Sequence, residues 1–92
     1  MTTMHALDAR RRRLCYRAWH RGTKEADIMI GSFCDRYVGH WDTAAIDWFE
    51  ALMEEQDVDI MAWAMGTATA PDRFQGPLLD DLRALDFMPG TR

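Results

Sequence analysis

The sequence lacks most of the features that mark secreted or catalytic proteins. Its two cysteines, Cys15 and Cys34, are too few for a disulfide framework, and its only serine, Ser32, stands in no nucleophile motif. It has no glycine-rich phosphate loop and no apolar run long enough for a signal peptide or a membrane span. We therefore expect no catalytic residues, no membrane insertion and a location in the bacterial cytoplasm.

Metal-binding patterns are also missing. The cysteines and the three histidines stand at none of the spacings typical of zinc sites, and both cysteines lie on apolar helical faces. Burial as small hydrophobic residues is the common role of such cysteines. We expect no metal site and no stably bound cofactor.

What is present fits a small folded domain. The chain has 92 residues, of which 48% are hydrophobic and 28% charged, and it includes four tryptophans. A chain of this length holds one core, and its bulky aromatic rings supply much of the buried surface or anchor a partner. The sequence predicts a single domain over residues 1–92, with an ordered core at about 7–88 and frayed ends.

Apolar residues recur at helical spacing and turn residues separate the repeats, which predicts a compact all-α bundle of five helices. The first helix starts near Leu7 and ends at Gly22 as a left-handed cap. The next three start at the caps Thr23, Asp42 and Asp57, and the fifth starts at Pro77. The second ends at Gly39 and the fourth at Gly66. Gly31 lies opposite the apolar stripe of the second helix, where it permits a close approach.

Charge is distributed unevenly along the chain, whose net charge is −4. Arg10, Arg11, Arg12, Arg13 and Arg17 crowd the first helix, whereas acidic residues crowd the middle. Such polarity favours docking to a charged partner in one orientation. A nucleic-acid partner is disfavoured because phosphates would repel the acidic half, and a solvated helix face explains the arginines better.

The segment Arg21-Gly22-Thr23-Lys24-Glu25 joins the first two helices. Its glycine, threonine and glutamate are explained as a helix end, a cap and first-turn charge compensation. Arg21 is left without a role, unless it pairs with Glu25 across the joint. From the residues alone, the segment is either a helix junction or a binding motif.

Two stretches resemble the FAD assembly (flavinylation) factor of succinate dehydrogenase, a small family that includes bacterial members described as CptB-type antitoxins. The first is Arg13-Leu14-x-Tyr16-x-x-x-x-Arg21-Gly22-x-x-Glu25-x-Asp27. The second is Leu52-Met53-Glu54-Glu55-Gln56-Asp57-Val58-Asp59-Ile60-Met61-x-Trp63, closed by Gly66. Together they extend the resemblance over roughly residues 10–88.

The resemblance implies a non-enzymatic helper that binds the flavoprotein subunit of succinate dehydrogenase, and as a second client that of fumarate reductase, and promotes covalent FAD attachment. FAD would then be the cofactor of the client. The family's Arg-Gly-x-x-Glu motif matches Arg21, Gly22 and Glu25, which we expect to contact the client, with Arg13, Tyr16 and Asp27 extending the patch. The alternative is an antitoxin-like module that binds a small membrane-associated toxin.

Overall fold

The computed structural model describes residues 3–90, with side chains described from Ala6 onward. Its five α-helices are α1 (Thr3–Trp19), α2 (Lys24–Tyr37), α3 (Thr43–Leu52), α4 (Asp57–Met65) and α5 (Pro77–Ala84). Two short 3₁₀ turns, Val38–His40 and Asp72–Phe74, follow α2 and precede α5. Residues 3–90 contain no strand, so the predicted all-α domain is confirmed.

Several predicted helix ends are confirmed by their capping contacts. The Thr23 hydroxyl accepts a hydrogen bond from the backbone N–H of Ala26 at 3.2 Å, and Asp42 caps α3 in the same way. Gly66 ends α4 with φ of 77°, and Pro77 occupies the first position of α5. Such contacts are local, which is why the sequence predicts them.

Other predicted ends are wrong. Helix α1 begins at Thr3, one turn before Leu7, and it ends at Trp19, so Gly22 is not its cap. Helix α2 ends at Tyr37, before Gly39. The N-cap of α4 is Gln56, and Asp57 is instead its first helical residue. Of the ends predicted to be frayed, 1–6 and 89–92, residues 1–2 and 91–92 lie outside the described residues, whereas residues 3–6 belong to α1.

Helices α1 and α2 form a closely packed antiparallel pair. Cys15 lies against Cys34, and one turn further along α1 the indole of Trp19 covers Gly31. A Cβ atom added to Gly31 would lie 2.2 Å from this indole. Gly31 is therefore buried against α1 rather than on an outer face, and the predicted close approach is confirmed as an internal contact.

Aromatic rings fill the core between the helices. The ring of Phe33 has five aromatic neighbours among the described residues, with centroids 5.2 to 6.4 Å away: Tyr37, Trp41, Trp48, Phe49 and Phe87. Trp48 also meets Phe74, which in turn packs on Trp63. Trp41 and Trp63 are buried, whereas Trp19 and Trp48 are half-buried. These aromatic residues therefore pack mainly in the core, rather than on the surface as anchors for a partner.

Candidate functional site

The linker between α1 and α2 is held by the carboxylate of Asp27. Its Oδ1 atom accepts hydrogen bonds from the backbone N–H groups of Arg21 at 2.6 Å and Gly22 at 3.3 Å. At the same turn, the backbone N–H of Asp27 donates to the carbonyl of Thr23 at 2.9 Å. Asp27, half-buried in the first turn of α2, therefore fixes the path of the linker backbone by hydrogen bonds.

Gly22 lies at the exposed apex of this linker. Its φ of 121° falls in the region that L side chains rarely adopt, and a Cβ placed there would meet nothing within 4 Å. A side chain at this position would therefore project outward, and the bare backbone of Gly22 is open to approach by another molecule.

Arg21 points the other way, into the molecule. Its Nε atom donates to the Asp57 carboxylate at 2.7 Å, and its two terminal nitrogens donate to the carbonyls of Met53 and Glu55, each at 3.0 Å. The side chain is only 11% exposed. Carbonyls at a helix C-terminus lack intrahelical donors, so the guanidinium satisfies the end of α3 and the start of α4 together.

The ion pair considered between Arg21 and Glu25 does not form in the structure. The guanidinium bonds to Asp57, not Glu25, and this also gives Asp57 a role other than the predicted cap. A client contact by Arg21 stays a prediction, although all three guanidinium nitrogens already have acceptors within the chain.

Glu25 is exposed in the first turn of α2. Within residues 6–90, its carboxylate has no hydrogen bond and no ion pair in the structure, in contrast to Asp27 two residues later. An exposed carboxylate at a helix N-terminus is favoured by the helix dipole and open to a donor from outside.

A stacked aromatic pair borders the linker on the α1 side. The rings of Tyr16 and His20 lie 3.9 Å apart at an angle of 19°, and Nδ1–H of His20 donates to the Tyr16 carbonyl at 2.6 Å. Tyr16 is 65% exposed. Arg13, one turn earlier, is also exposed. Tyr16 and Arg13 are thus exposed side chains of α1, and their part in the extended patch stays a prediction.

Two open grooves meet at Thr23. One, of about 580 Å³, is lined by Trp19, His20, Gly22, Thr23, Lys24, Asp27 and Ile28. The other, of about 400 Å³, lies against α4 and is lined by Thr23, Val58, Met61, Ala62, Met65 and Thr67. Val58 is 69% exposed and Met65 53%. An apolar surface therefore continues from the linker onto α4.

Comparison with known proteins decides the family. A family model described as "Flavinator of succinate dehydrogenase" matches residues 12–86, which includes the linker and all five helices in whole or part. The chain belongs to this family.

Curated relatives agree with the family assignment. The chain is 37% identical over 73 residues to the FAD assembly factor SdhE of Acetobacter pasteurianus, covering 79% of this chain and 67% of that protein. It is 32% identical over 80 residues to the mitochondrial succinate dehydrogenase assembly factor 2 of Danio rerio, covering 85% and 51%. The Debaryomyces hansenii protein of that name is 34% identical over 62 residues, covering 67% and 44%.

The chain spans about half the length of these mitochondrial relatives and about two thirds of the Acetobacter protein. All three are named for succinate dehydrogenase or FAD assembly, so the antitoxin alternative gains no support from them.

In this flavinator-family chain, acidic side chains of the same chain neutralise much of the positive charge of α1. Arg10 binds Asp47 at 2.6 Å and Glu50 at 2.8 Å, and Arg17 binds Glu54 at 2.7 Å, all on or next to α3. Hydrogen bonds with Glu50 and Asp47 raise the pKa of Arg10. The charge asymmetry of the sequence thus joins α1 to α3, which disfavours a phosphate-binding role for the arginine run.

The described residues contain neither a metal cluster nor a helix suited to a membrane. Within residues 3–90 there is no cluster of three side chains suited to a metal ion. Over the same residues, no helix has the combination of length and apolar character that crossing a bilayer requires.

Sequence reasoning missed His20, Val58 and Met65 as neighbours of the motif. His20 stands four residues after Tyr16, a spacing that brings two side chains together on a helix, so this pair was detectable. Val58 and Met65, seven residues apart, share one face of α4. Their exposure beside Thr23 depends on tertiary packing, and no local pattern reveals it.

Proposed function

We propose that this chain is an assembly factor that docks on the flavoprotein subunit of succinate dehydrogenase and promotes covalent attachment of FAD to that subunit. The family membership carries this proposal, together with an Arg-Gly-x-x-Glu linker whose glycine and glutamate are exposed. The chain would act without catalysis of its own, in the bacterial cytoplasm, and FAD would belong to the client.

The docking face, as we define it, comprises five exposed residues: Tyr16, Gly22, Glu25, Val58 and Met65. Gly22, Val58 and Met65 line the two grooves, and Tyr16 stacks on His20, which lines the first of them. Gly22 would let the client backbone approach closely, since no side chain intervenes. Glu25 would accept hydrogen bonds from a basic or N–H group of the client, and Val58 and Met65 would bury apolar surface.

Arg21 and Asp27 would support this face as positioning residues. Asp27 fixes the linker backbone from α2, and Arg21 ties the linker to the ends of α3 and α4. A docking segment held in one conformation loses little conformational entropy on binding, which favours affinity. Arg13, exposed on α1, would extend the face at its edge.

Glu25→Ala tests the charged part of the docking face. Asp80→Ala is its matched control, because Asp80 is likewise an exposed carboxylate in the first turn of a helix, on α5. We expect Glu25→Ala to weaken binding to the purified flavoprotein subunit by at least about tenfold, a loss of roughly 1.4 kcal/mol. Asp80→Ala should bind like the wild type. Equal binding by both variants would remove Glu25 from the docking face.

Gly22→Ala tests the backbone approach, with Gly76→Ala as its control. Both glycines have positive φ, 121° and 139°, and open space where a Cβ would lie, so the backbone strain is comparable. Covalent flavin on the flavoprotein subunit, measured as in-gel fluorescence in cells that carry each variant, should fall only with Gly22→Ala. Equal loss with both would indicate a folding defect rather than a docking defect. The same assay on the fumarate reductase flavoprotein tests the predicted second client.

A further inference from the structure

The two cysteine thiols face each other across the α1–α2 interface. The Sγ atoms of Cys15 and Cys34 lie 3.2 Å apart, and both cysteines are free. Cys34 is fully buried, whereas Cys15 is only half-buried and so can be reached from solvent. Neither thiol takes part in the docking face.

The separation of the sulfurs is close to bonding distance. A disulfide bond is about 2.05 Å long, so the two Sγ atoms need to approach by roughly 1 Å. Rotation of two cysteine side chains and a small shift of the helix pair supply a movement of this size. The helices are already held at this point by the packing of Trp19 on Gly31 one turn away.

We propose that Cys15 and Cys34 are a redox modification site that forms a reversible disulfide between α1 and α2 under peroxide. Cys15, the accessible thiol, reacts first: its thiolate attacks one peroxide oxygen, the O–O bond breaks, and a sulfenic acid and water form. The Cys34 sulfur then attacks the Cys15 sulfur, the S–O bond breaks and a second water leaves.

The reaction balances as two thiols and one hydrogen peroxide giving one disulfide and two waters, with the sulfurs losing two electrons and the peroxide oxygens gaining them. A small dithiol reverses it by thiol–disulfide exchange. Burial raises the pKa of both thiols, so the protonated dithiol is the resting form and oxidation is slow without excess peroxide.

A disulfide between Cys15 and Cys34 would close a loop that contains part of the docking face. The loop from Cys15 to Cys34 contains the whole α1–α2 linker, including Tyr16, Gly22 and Glu25 of the docking face. Closing this loop restricts the unfolded chain and so stabilises the folded one. Oxidation would therefore lock the helix pair beneath the linker.

The test uses the purified full chain, reduced and then freed of reductant. Aliquots with and without excess hydrogen peroxide are denatured in N-ethylmaleimide and weighed by intact-mass spectrometry. We expect the untreated protein to gain two maleimide groups. The treated protein should gain none, lose two hydrogen atoms and remain a monomer on a non-reducing gel. Dithiothreitol should restore both maleimide additions, and the oxidised form should melt on the order of 10 °C higher.

Cys15→Ser and Cys34→Ala are the matched controls, each retaining one thiol. Neither variant should gain thermal stability from peroxide. Two maleimide groups on the treated wild type would overturn the proposal, as would a treated wild type that keeps added oxygen on Cys15 beside an alkylatable Cys34. Crosslinks found only between chains would overturn it as well. If a variant does not fold, the wild-type masses alone decide the question.

Discussion

Removing the Arg21 side chain should destabilise the domain itself. The guanidinium joins the α1–α2 linker to three oxygen acceptors, the carbonyls of Met53 and Glu55 and the carboxylate of Asp57. In Arg21→Ala, the two carbonyls between α3 and α4 lose their donors, and Asp57 loses the cation that faces it. The arginine keeps water away from these acceptors in the wild type. In the variant they stay partly shielded from water without their donor, which costs free energy.

The expected loss follows from burial. Breaking a fully buried ion pair costs about 3–5 kcal/mol, and hydrogen bonds to charged groups contribute about 1.5–3 kcal/mol each. Here Arg21 is 11% exposed but Asp57 is 26% exposed, so water compensates part of the loss. We expect Arg21→Ala to lower the free energy of unfolding by about 2–4 kcal/mol. For a domain of this size, that corresponds to a melting temperature lower by ~10–25 °C.

Urea unfolding followed by tryptophan fluorescence and helical circular dichroism measures this loss. Arg13→Ala is the control, since Arg13 is exposed on the neighbouring helix, and it should change the stability by less than about 0.5 kcal/mol. Arg21→Lys should recover only part of the loss, because an ammonium lacks the planar fork that reaches three acceptors. The double variant with Asp57→Ala should reveal a coupling energy of at least about 1 kcal/mol.

One result would refute this reasoning. If Arg21→Ala unfolds within about 0.5 kcal/mol of the wild type yet no longer binds the flavoprotein subunit, the guanidinium acts on the client and not on the fold. A stability loss with binding retained at low temperature would support the positioning role.

Two further predictions concern the helix interface and the far end of the core. Gly31→Ala should destabilise the domain by about 1–2 kcal/mol in thermal unfolding, because its Cβ would overlap the Trp19 indole; a stabilised variant would contradict this packing. Desolvation, helped by the hydrogen bond to Asp86, raises the pKa of Tyr37, so its contribution to stability should be lost as pH rises through that pKa. Ultraviolet titration should show one phenol ionising above its ordinary range and missing in Tyr37→Phe; an ordinary titration would contradict the assignment.

The sequence predicts the helices well because their signals are local. The apolar stripe of α2 and the caps at Thr23 and Asp42 each involve residues within a few positions of one another. The direction of each helix face toward the core follows from the same periodicity. Even so, the start of α1 is not predicted, because the helix begins at Thr3, one turn before Leu7.

Contacts between distant residues are what the sequence does not reveal. The acceptors of Arg21 lie 32 to 36 positions further along the chain, so no local spacing indicates them. Phe74 is a second case: it lies in a segment whose proline, glycines and polar residues predict a loop, yet it is buried against Trp48 and Trp63. In both, the tertiary arrangement decides the role of the residue.

The Arg-Gly-x-x-Glu motif thus combines two kinds of residue that a sequence pattern cannot separate. Arg21 is directed inward and Glu25 outward, although only four positions separate them, because the linker reverses the chain between α1 and α2. Gly22 permits this reversal with a φ of 121°, and Asp27 holds it with one carboxylate oxygen. An interface built on such a linker needs both the exposed pair and its internal support. Variants of Gly22 and Glu25 should therefore impair binding first, whereas variants of Arg21 and Asp27 should impair binding only as far as they loosen the fold.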